Sequence, residues 1–270
     1  QAANAYLDWV AWQLVNLSPE SATSLGIDTG VHAGLKARLG DRSAAGQAKV
    51  AATLRSALKG LARHDTARLD PVTRTSVAVV KSAFSVALDG FALPYGDVAV
   101  GGWRNTPYVV IQNVGGYLDT PRFLDSDHQI GNARDAEAYL ARLARFPAQL
   151  DGELGRIRAA RGIGVVPPAF LLDKAIRQME IALKDASAGG GLVESLVRRT
   201  KGIPGNWDAR ARKLATGPVA AALARQLAEL KLQREKATMD AGMWARPHGD
   251  EWYGWALRAS TTTRRSPEEI

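Results

Sequence analysis

Metal binding and proton transfer depend first on histidine, and this chain has four: His32, His64, His128 and His248. No two of them lie at the spacing that puts both rings on one helix face. None is followed by Glu, so the zinc helix His-Glu-x-x-His is absent. His128 closes the run Asp125-Ser126-Asp127-His128, which reads either as a cation site or as a polar turn capping the next helix. Gly101-Gly102 and Gly115-Gly116 match neither the Walker phosphate loop nor Gly-x-Gly-x-x-Gly between a strand and a helix. A nucleophilic Ser or Thr needs an oriented base beside it, and no Gly-x-Ser-x-Gly elbow occurs. Thr261-Thr262-Thr263 suits a turn leading into Ser266. Carboxylates are plentiful, but order along the chain does not say which of them face each other. With no Cys in 270 residues, disulfides, thiolate nucleophiles and Cys-ligated zinc are excluded together. The residues by themselves assign no catalytic group and no metal ligand.

The elements that would position any site are helical. Tyr6, Leu7, Val10, Leu14 and Leu17 form an apolar stripe on a first helix. Ser18-Pro19-Glu20-Ser21 and Asp70-Pro71 read as N-caps with Pro at the first helical position. The second opens a helix through Val72, Val79, Val80, Phe84 and Leu88. Between about 30 and 46 the chain is polar and glycine-punctuated, as a loop would be. Tyr139, Leu143, Phe146, Leu150, Leu154 and Ile157 mark the width of one buried stripe on a long helix from about 135 to 160. Pro147 is expected to bend or divide that helix. A further helix carries Phe170, Leu171, Ile176, Met179 and Leu183, with Met179 as core filler. Gly217-Pro218 is expected to start another, with Val219, Leu223, Leu227 and Leu230 on one side.

The texture changes between 91 and 130. Its many Pro and Gly residues cannot share one long helix. Val98-Ala99-Val100 and Tyr108-Val109-Val110-Ile111 are short β-prone runs that could pair as a hairpin. This stretch is the candidate lining of a cleft; the alternative is a long connection over helix ends. The expected fold class is therefore mainly α: a multi-helix array with a short irregular or hairpin-containing segment near 91–130.

Composition bounds the class further. Hydrophobic content of 46% with 23% charge is that of a globular protein, not a disordered one. Four of seven Trp lie beyond position 205, where something large and amphipathic must pack. Net charge is 35 − 27 = +8. Between Arg198 and Lys236 ten Lys or Arg face three acids, a local +7. Nucleic-acid binding is one reading of that cluster. A solvated helix face is the preferred one, because no nucleic-acid motif or interleaved aromatic platform accompanies it. No apolar run approaches the roughly 20 residues that cross a bilayer, so the segment reads as soluble. A start at Gln1 without Met fits a removed leader, and with the lack of Cys it fits an exported bacterial protein; a cytoplasmic one is the alternative.

Ser266-Pro267-Glu268-Glu269 combines an N-cap Ser, Pro at the first position and Glu three after the cap, a capping box. A helix start immediately before Ile270 is expected to continue into a longer protein. Residues 1–270 are thus read as a single helical region, the N-terminal part of a larger domain.

Several stretches, in order, carry a resemblance: Leu17-Ser18-Pro19-Glu20 with Leu25-Gly26; Tyr108 to Tyr117; Pro121-Arg122-Phe123-Leu124 with His128; Asp135 to Leu143; Gly164-Val165-Val166-Pro167-Pro168; Gly217-Pro218-Val219; Ala241-Gly242-Met243-Trp244; and Tyr253 to Thr263 running into Ser266. Together they resemble the N-terminal half of a bacterial family, domain of unknown function 885. Members of that family look like helical zinc peptidases related to the carboxypeptidase Taq and angiotensin-converting-enzyme group, and many look exported. The family's zinc motif lies in the C-terminal half and no position here matches it, so catalytic and metal residues carried over are none. The resemblance implies one half of a larger helical zincin-like fold, with one wall of a deep peptide cleft. Within that wall Gln112, Asn113, Tyr117, Tyr253 and Arg258 are the candidate substrate contacts, although for Tyr117 and Tyr253 a core role with a satisfied hydroxyl is preferred. The implied cofactor is zinc, held outside this chain. The implied partners are the C-terminal half of the same protein and a peptide substrate, with no nucleic acid and no membrane span. An isolated half would expose apolar surface, implying self-association or a second polypeptide beside it. The alternative is a non-catalytic helical binding or scaffold protein of the same fold.

Overall fold

The computed structural model describes residues 2–101 and 104–270. Gln1, Gly102 and Trp103 lie outside the described residues, and with Gly102 the Gly101-Gly102 pair considered above. The helices are α1 (Ala2–Leu17), α2 (Pro19–Ser24), α3 (Ala44–Leu61), α4 (Pro71–Phe91), α5 (Gly116–Ser126), α6 (Ala133–Gly162), α7 (Ala169–Ala188), α8 (Gly191–Arg199), α9 (Trp207–Leu214), α10 (Ala220–Lys236) and α11 (Gly249–Thr261). The fold is mainly α, as the periodicity requires, and no strand forms among the described residues.

The largest core surrounds α6. Its stripe Tyr139, Leu143, Phe146, Leu150, Leu154 and Ile157 is buried throughout, against α5, α7, α8, α9 and α10. Pro147 does not divide α6, because the residues on both sides of it pack into this one core. Met179 is fully buried there. α6 is capped by Asn132, whose side chain accepts the Asp135 N–H at 3.1 Å. A second core joins α1, α3 and α4 through Val10, Leu54, Ala57, Phe84 and Ala87. A third gathers Tyr95, Tyr108, Ile111, Val165, Trp252 and Trp255 beneath α11.

Two expectations are corrected. Gly217-Pro218 starts no helix. α9 passes into a five-residue π-turn, Ala215–Val219, and on into α10 without a break. Ala215 and Val219 are buried, so packing holds the chain helical while the widened turn accommodates a residue with no N–H. The β-prone runs also do not pair with each other. The only β contacts among the described residues are isolated bridges, Asp97–Thr106 and Ile111–Val114. The reason is that each run is claimed by packing elsewhere. Val98 and Val100 pack on the α1–α3–α4 core, Val109 and Val110 belong to the α6 core, and Tyr108 and Ile111 to the α11 core. The chain between 93 and 114 is a seam joining all three.

Two glycines let α11 dock on this seam. A Cβ at Gly90 would collide with the Trp255 ring, and one at Gly96 would lie 2.6 Å from Trp252 Nε1. Gly96 also holds φ +94°, a conformation that favours glycine. Trp255 Nε1 donates to the Val86 carbonyl at 2.7 Å, which fixes the indole against α4. Three of the four late Trp, Trp207, Trp252 and Trp255, are buried, while Trp244 is exposed.

Candidate functional site

A cleft of about 370 Å³ opens between α3 and α6. Its origin is local. Where α6 passes the start of α3 the two backbones nearly touch: a Cβ on Gly152 would lie 2.8 Å from the Ser43 amide nitrogen. Beyond that point both helices present small residues, Ala44, Ala48 and Ala51 on α3 and Gly155, Ala159 and Ala160 on α6. Gly155 has nothing within 4 Å of where its Cβ would be. Side chains this short cannot fill the space between diverging helices, and a void remains.

The floor comes from other elements. Tyr95, Tyr108, Val109 and Val110 of the seam line it, with Val165 and, from α10, Gln233. The stretch read as a possible cleft lining therefore does line one. Two polar atoms of these buried residues have no partner, the Tyr95 hydroxyl and Gln233 Oε1. Tyr95 is 8% exposed and Gln233 2%. Gln233 spends its Nε2 on the Ile157 carbonyl at 3.3 Å, which aims the amide along α6 and leaves its oxygen unmatched. Buried polar atoms are rarely left so in native proteins. Burial pushes the Tyr95 phenol up to about 12, so it is a neutral donor at ordinary pH. Tyr108 differs, because its hydroxyl accepts from Arg246 Nε at 2.9 Å. Arg156 is committed to the wall, donating to the Gly96 carbonyl and Asp97 Oδ1, each at 2.8 Å. Arg55, exposed at the rim, forms no ion pair among the described residues.

The five candidate contacts fall elsewhere. Gln112 is half-buried, with Oε1 buried and unpartnered. Asn113 is exposed, and its carbonyl accepts from Arg104 at 2.6 Å. Tyr117 is a core residue, its hydroxyl 2.9 Å from the Ile111 carbonyl and 3.0 Å from the Gln178 side-chain amide. Tyr253 is half exposed on α11. Arg258 lines a second, larger hollow between α4 and α11, near Asn105. The seam and α11 share a core, yet none of the five lines the α3–α6 cleft.

The run from Asp125 to His128 converges on no cation position. Asp125 accepts from Ser195 Oγ at 2.6 Å and Arg198 at 2.9 Å, and Asp127 accepts from Ser24. His128 is fully buried, its Nδ1 2.7 Å from Arg142 Nη1 and its Nε2 2.9 Å from the Asp135 carbonyl. An arginine can only donate, so Nδ1 accepts and Nε2 carries the proton. Burial lowers the His128 pKa to about 4, with Arg142, Lys36 and Arg199 acting in the same direction. Arg142, also fully buried, donates to the Arg38 carbonyl and Thr23 Oγ1 as well, clasping α6 to the chain before α3. Among the described residues no three His, Cys, Asp or Glu side chains gather as a metal-ligand set. These residues do not fit a zinc site.

The clefts' own residues had one legible signal. Gln226, Glu229 and Gln233 lie in register with Leu223, Leu227 and Leu230 on α10, and all three are buried. Polar residues at core spacing mark positions held by specific partners. Glu229 finds them in Arg161 and Arg158 of α6, whereas Gln233 Oε1 has no partner.

Fold and site together define a mainly helical module with a cleft between α3 and α6 and no metal-ligand set among its described residues. The model of the family described as bacterial protein of unknown function (DUF885) matches residues 19–270, and the chain belongs to that family. No curated protein matches it. A solved structure from Colwellia psychrerythraea, titled a "putative lipoprotein", superposes with a TM-score of 0.85 at 18% identity. That match covers 98% of this chain but only 46% of the solved one. At such identity the likeness carries the fold alone.

Proposed function

We propose that this segment is the ligand-binding, cleft-forming half of a larger hydrolase, and that the intact protein is a zinc-dependent peptidase. The observation that carries the binding role is the α3–α6 cleft itself, about 370 Å³ with Tyr108, Val109, Val110 and Val165 on its floor. The peptidase part rests on the family resemblance. Residues 1–270 would form one helical region that continues in the longer protein, in line with the 46% coverage of the solved relative. Bound zinc would polarise a peptide carbonyl and activate water, but its ligands and the general base would lie outside these residues. The role of this segment is to bind and orient substrate, with Gln112, Asn113, Tyr253 and Arg258 as further contacts on the seam and α11 and Tyr117 holding the seam in place.

The lipoprotein title of the solved relative supports export of this protein too. No described helix is long and apolar enough to cross a membrane. Metal content and peptide hydrolysis of the purified full-length protein, with and without a chelator, test the reading. Near-stoichiometric zinc and chelator-sensitive cleavage are expected. Neither zinc nor cleavage would leave a non-catalytic binding protein of the same fold. Cell fractionation tests export.

A further inference from the structure

We infer that the groove between α4 and α11 seats the part of the polypeptide that follows Ile270 in the longer protein. This rests on the continuation of the chain proposed above, and it holds whether or not the intact protein binds zinc or cleaves peptides.

The first support is a stripe on α4. Val72, Val79 and Val86 are spaced by heptads, and such a repeat drifts only about 20° around a helix, so the three lie along one line. Val72 is 76% exposed and Val79 61%. The face that docks α4 into this segment is a different one, carried by Phe84 in the core shared with α1 and α3. Single exposed apolar residues are ordinary. A line of β-branched residues at heptad spacing is the pattern by which one helix receives another.

The second is room beside that line. A hollow of about 760 Å³ separates α4 from α11, with Val79, Val86 and the Trp255 ring among its lining. Its other walls are short side chains, Ser85 on α4 and Ala259 on α11 among them, which let a helix axis approach closely.

The third is where the chain leads. Thr262 and Thr263, just past α11, line the same hollow. Whatever is joined beyond them is tethered at its edge, at an effective concentration of about the millimolar order. A second copy of the protein has no such tether and must reach the groove by diffusion. In the solved relative the matched fold is 46% of the chain, so more than half of that polypeptide is available to cover it. Arg258 lines the groove too, so a substrate touching it would lie at the junction of the two parts.

The segment holds no Cys, so single cysteines can report on the groove site by site. In the full-length protein, maleimide labelling of Val79→Cys and Ser85→Cys is followed peptide by peptide by mass spectrometry and compared with the same sites in urea. Both native sites should react at least about tenfold more slowly than in the unfolded chain. That protection should survive about a hundredfold dilution, as intramolecular packing does. Val79→photo-leucine should cross-link, within one molecule, to peptides beyond residue 270. Labelling near the unfolded rate, protection lost on dilution, or cross-links confined to residues 1–270 would overturn the inference. A natural protein whose intact mass stops at residue 270 would remove the continuation itself, and this docking with it, before any labelling is done.

Discussion

Arg42 and Glu153, 111 residues apart in the chain, meet at 2.9 Å, with Glu153 only 1% exposed. Glu153 also accepts the Gly116 N–H at 2.9 Å and Gln226 Nε2 at 3.2 Å. One carboxylate thus ties the loop before α3, the start of α5 and the middle of α10 to α6. A buried carboxylate is tolerated because every neighbour donates to it. The same arrangement makes it costly to disturb.

Arg42→Ala removes the one charged donor and leaves Glu153 buried with neutral ones. Burial is the largest influence on its pKa and pushes it up, and Arg42 is the strongest influence pulling it back. Without Arg42 the folded state should hold the proton more tightly than the unfolded chain does. A carboxyl raised on folding contributes stability below its unfolded pKa that is lost as pH rises. The variant should lose roughly 3–5 kcal/mol at pH 7 and distinctly less near pH 4.5. Urea unfolding of both proteins at the two pH values checks this; an equal loss at both would be the wrong result.

His128 gives the opposite sign. Its folded pKa, about 4, lies below the ordinary 6.5. The unfolded chain therefore binds a proton first as pH falls. The stability carried by neutral His128 is complete above about 6.5 and drains away down to about 4, amounting to about 3 kcal/mol. Unfolding midpoints followed from pH 7.5 to 4 should fall through that window. In His128→Asn, which cannot ionise, the fall should be shallower, on top of a lower starting stability.

Gly→Ala should change sign between two helical sites. At Gly90 the added Cβ meets the Trp255 ring, fixed in place by Val86, so overpacking of roughly 1–3 kcal/mol outweighs the gain in helix propensity. At Gly155 the Cβ meets nothing within 4 Å, and the propensity gain of about 0.5–1 kcal/mol stands alone. Melting temperatures should therefore fall for Gly90→Ala and rise for Gly155→Ala. Equal shifts would mean the cleft is closed in solution.

Which parts were legible in the sequence follows from where the information sits. The α6 stripe was readable because a 3.6-residue period is a local property that tertiary packing only has to accept. The π-turn at 215–219 was not, since the local signal of Gly217-Pro218 is that of a break, and burial of Ala215 and Val219 overrides it. The β-prone runs failed for the same reason, their side chains being drawn into three separate cores. The α3–α6 cleft was illegible because no residue announces it. It arises from small residues on two helices far apart in sequence, Ala44, Ala48 and Ala51 on one and Gly155, Ala159 and Ala160 on the other, and small residues by themselves are ordinary. Gln233 did leave a trace, as a polar residue at a core position of α10.

The basic cluster between Arg198 and Lys236 yields the last prediction. Six of its ten cations are matched by acids of this same chain: Arg198 with Asp125, Arg210 with Glu137, Arg212 with Asp208, Arg225 with Asp151, Lys231 with Glu180 and Arg234 with Asp173. A cation already facing a carboxylate gains little by moving to a phosphate, because the first pair must be broken. Each exposed pair is worth only about 0.2–1 kcal/mol, so Arg225→Gln should shift unfolding by less than about 0.5 kcal/mol. A surface offering six free cations to duplex DNA would instead show a steep salt dependence, a slope near −5 in log affinity against log salt. The full-length protein on a duplex-DNA column should elute below about 0.15 M salt, with a slope far shallower than that. Tight retention with the steep slope would mean that these pairs open readily and that the face binds nucleic acid after all.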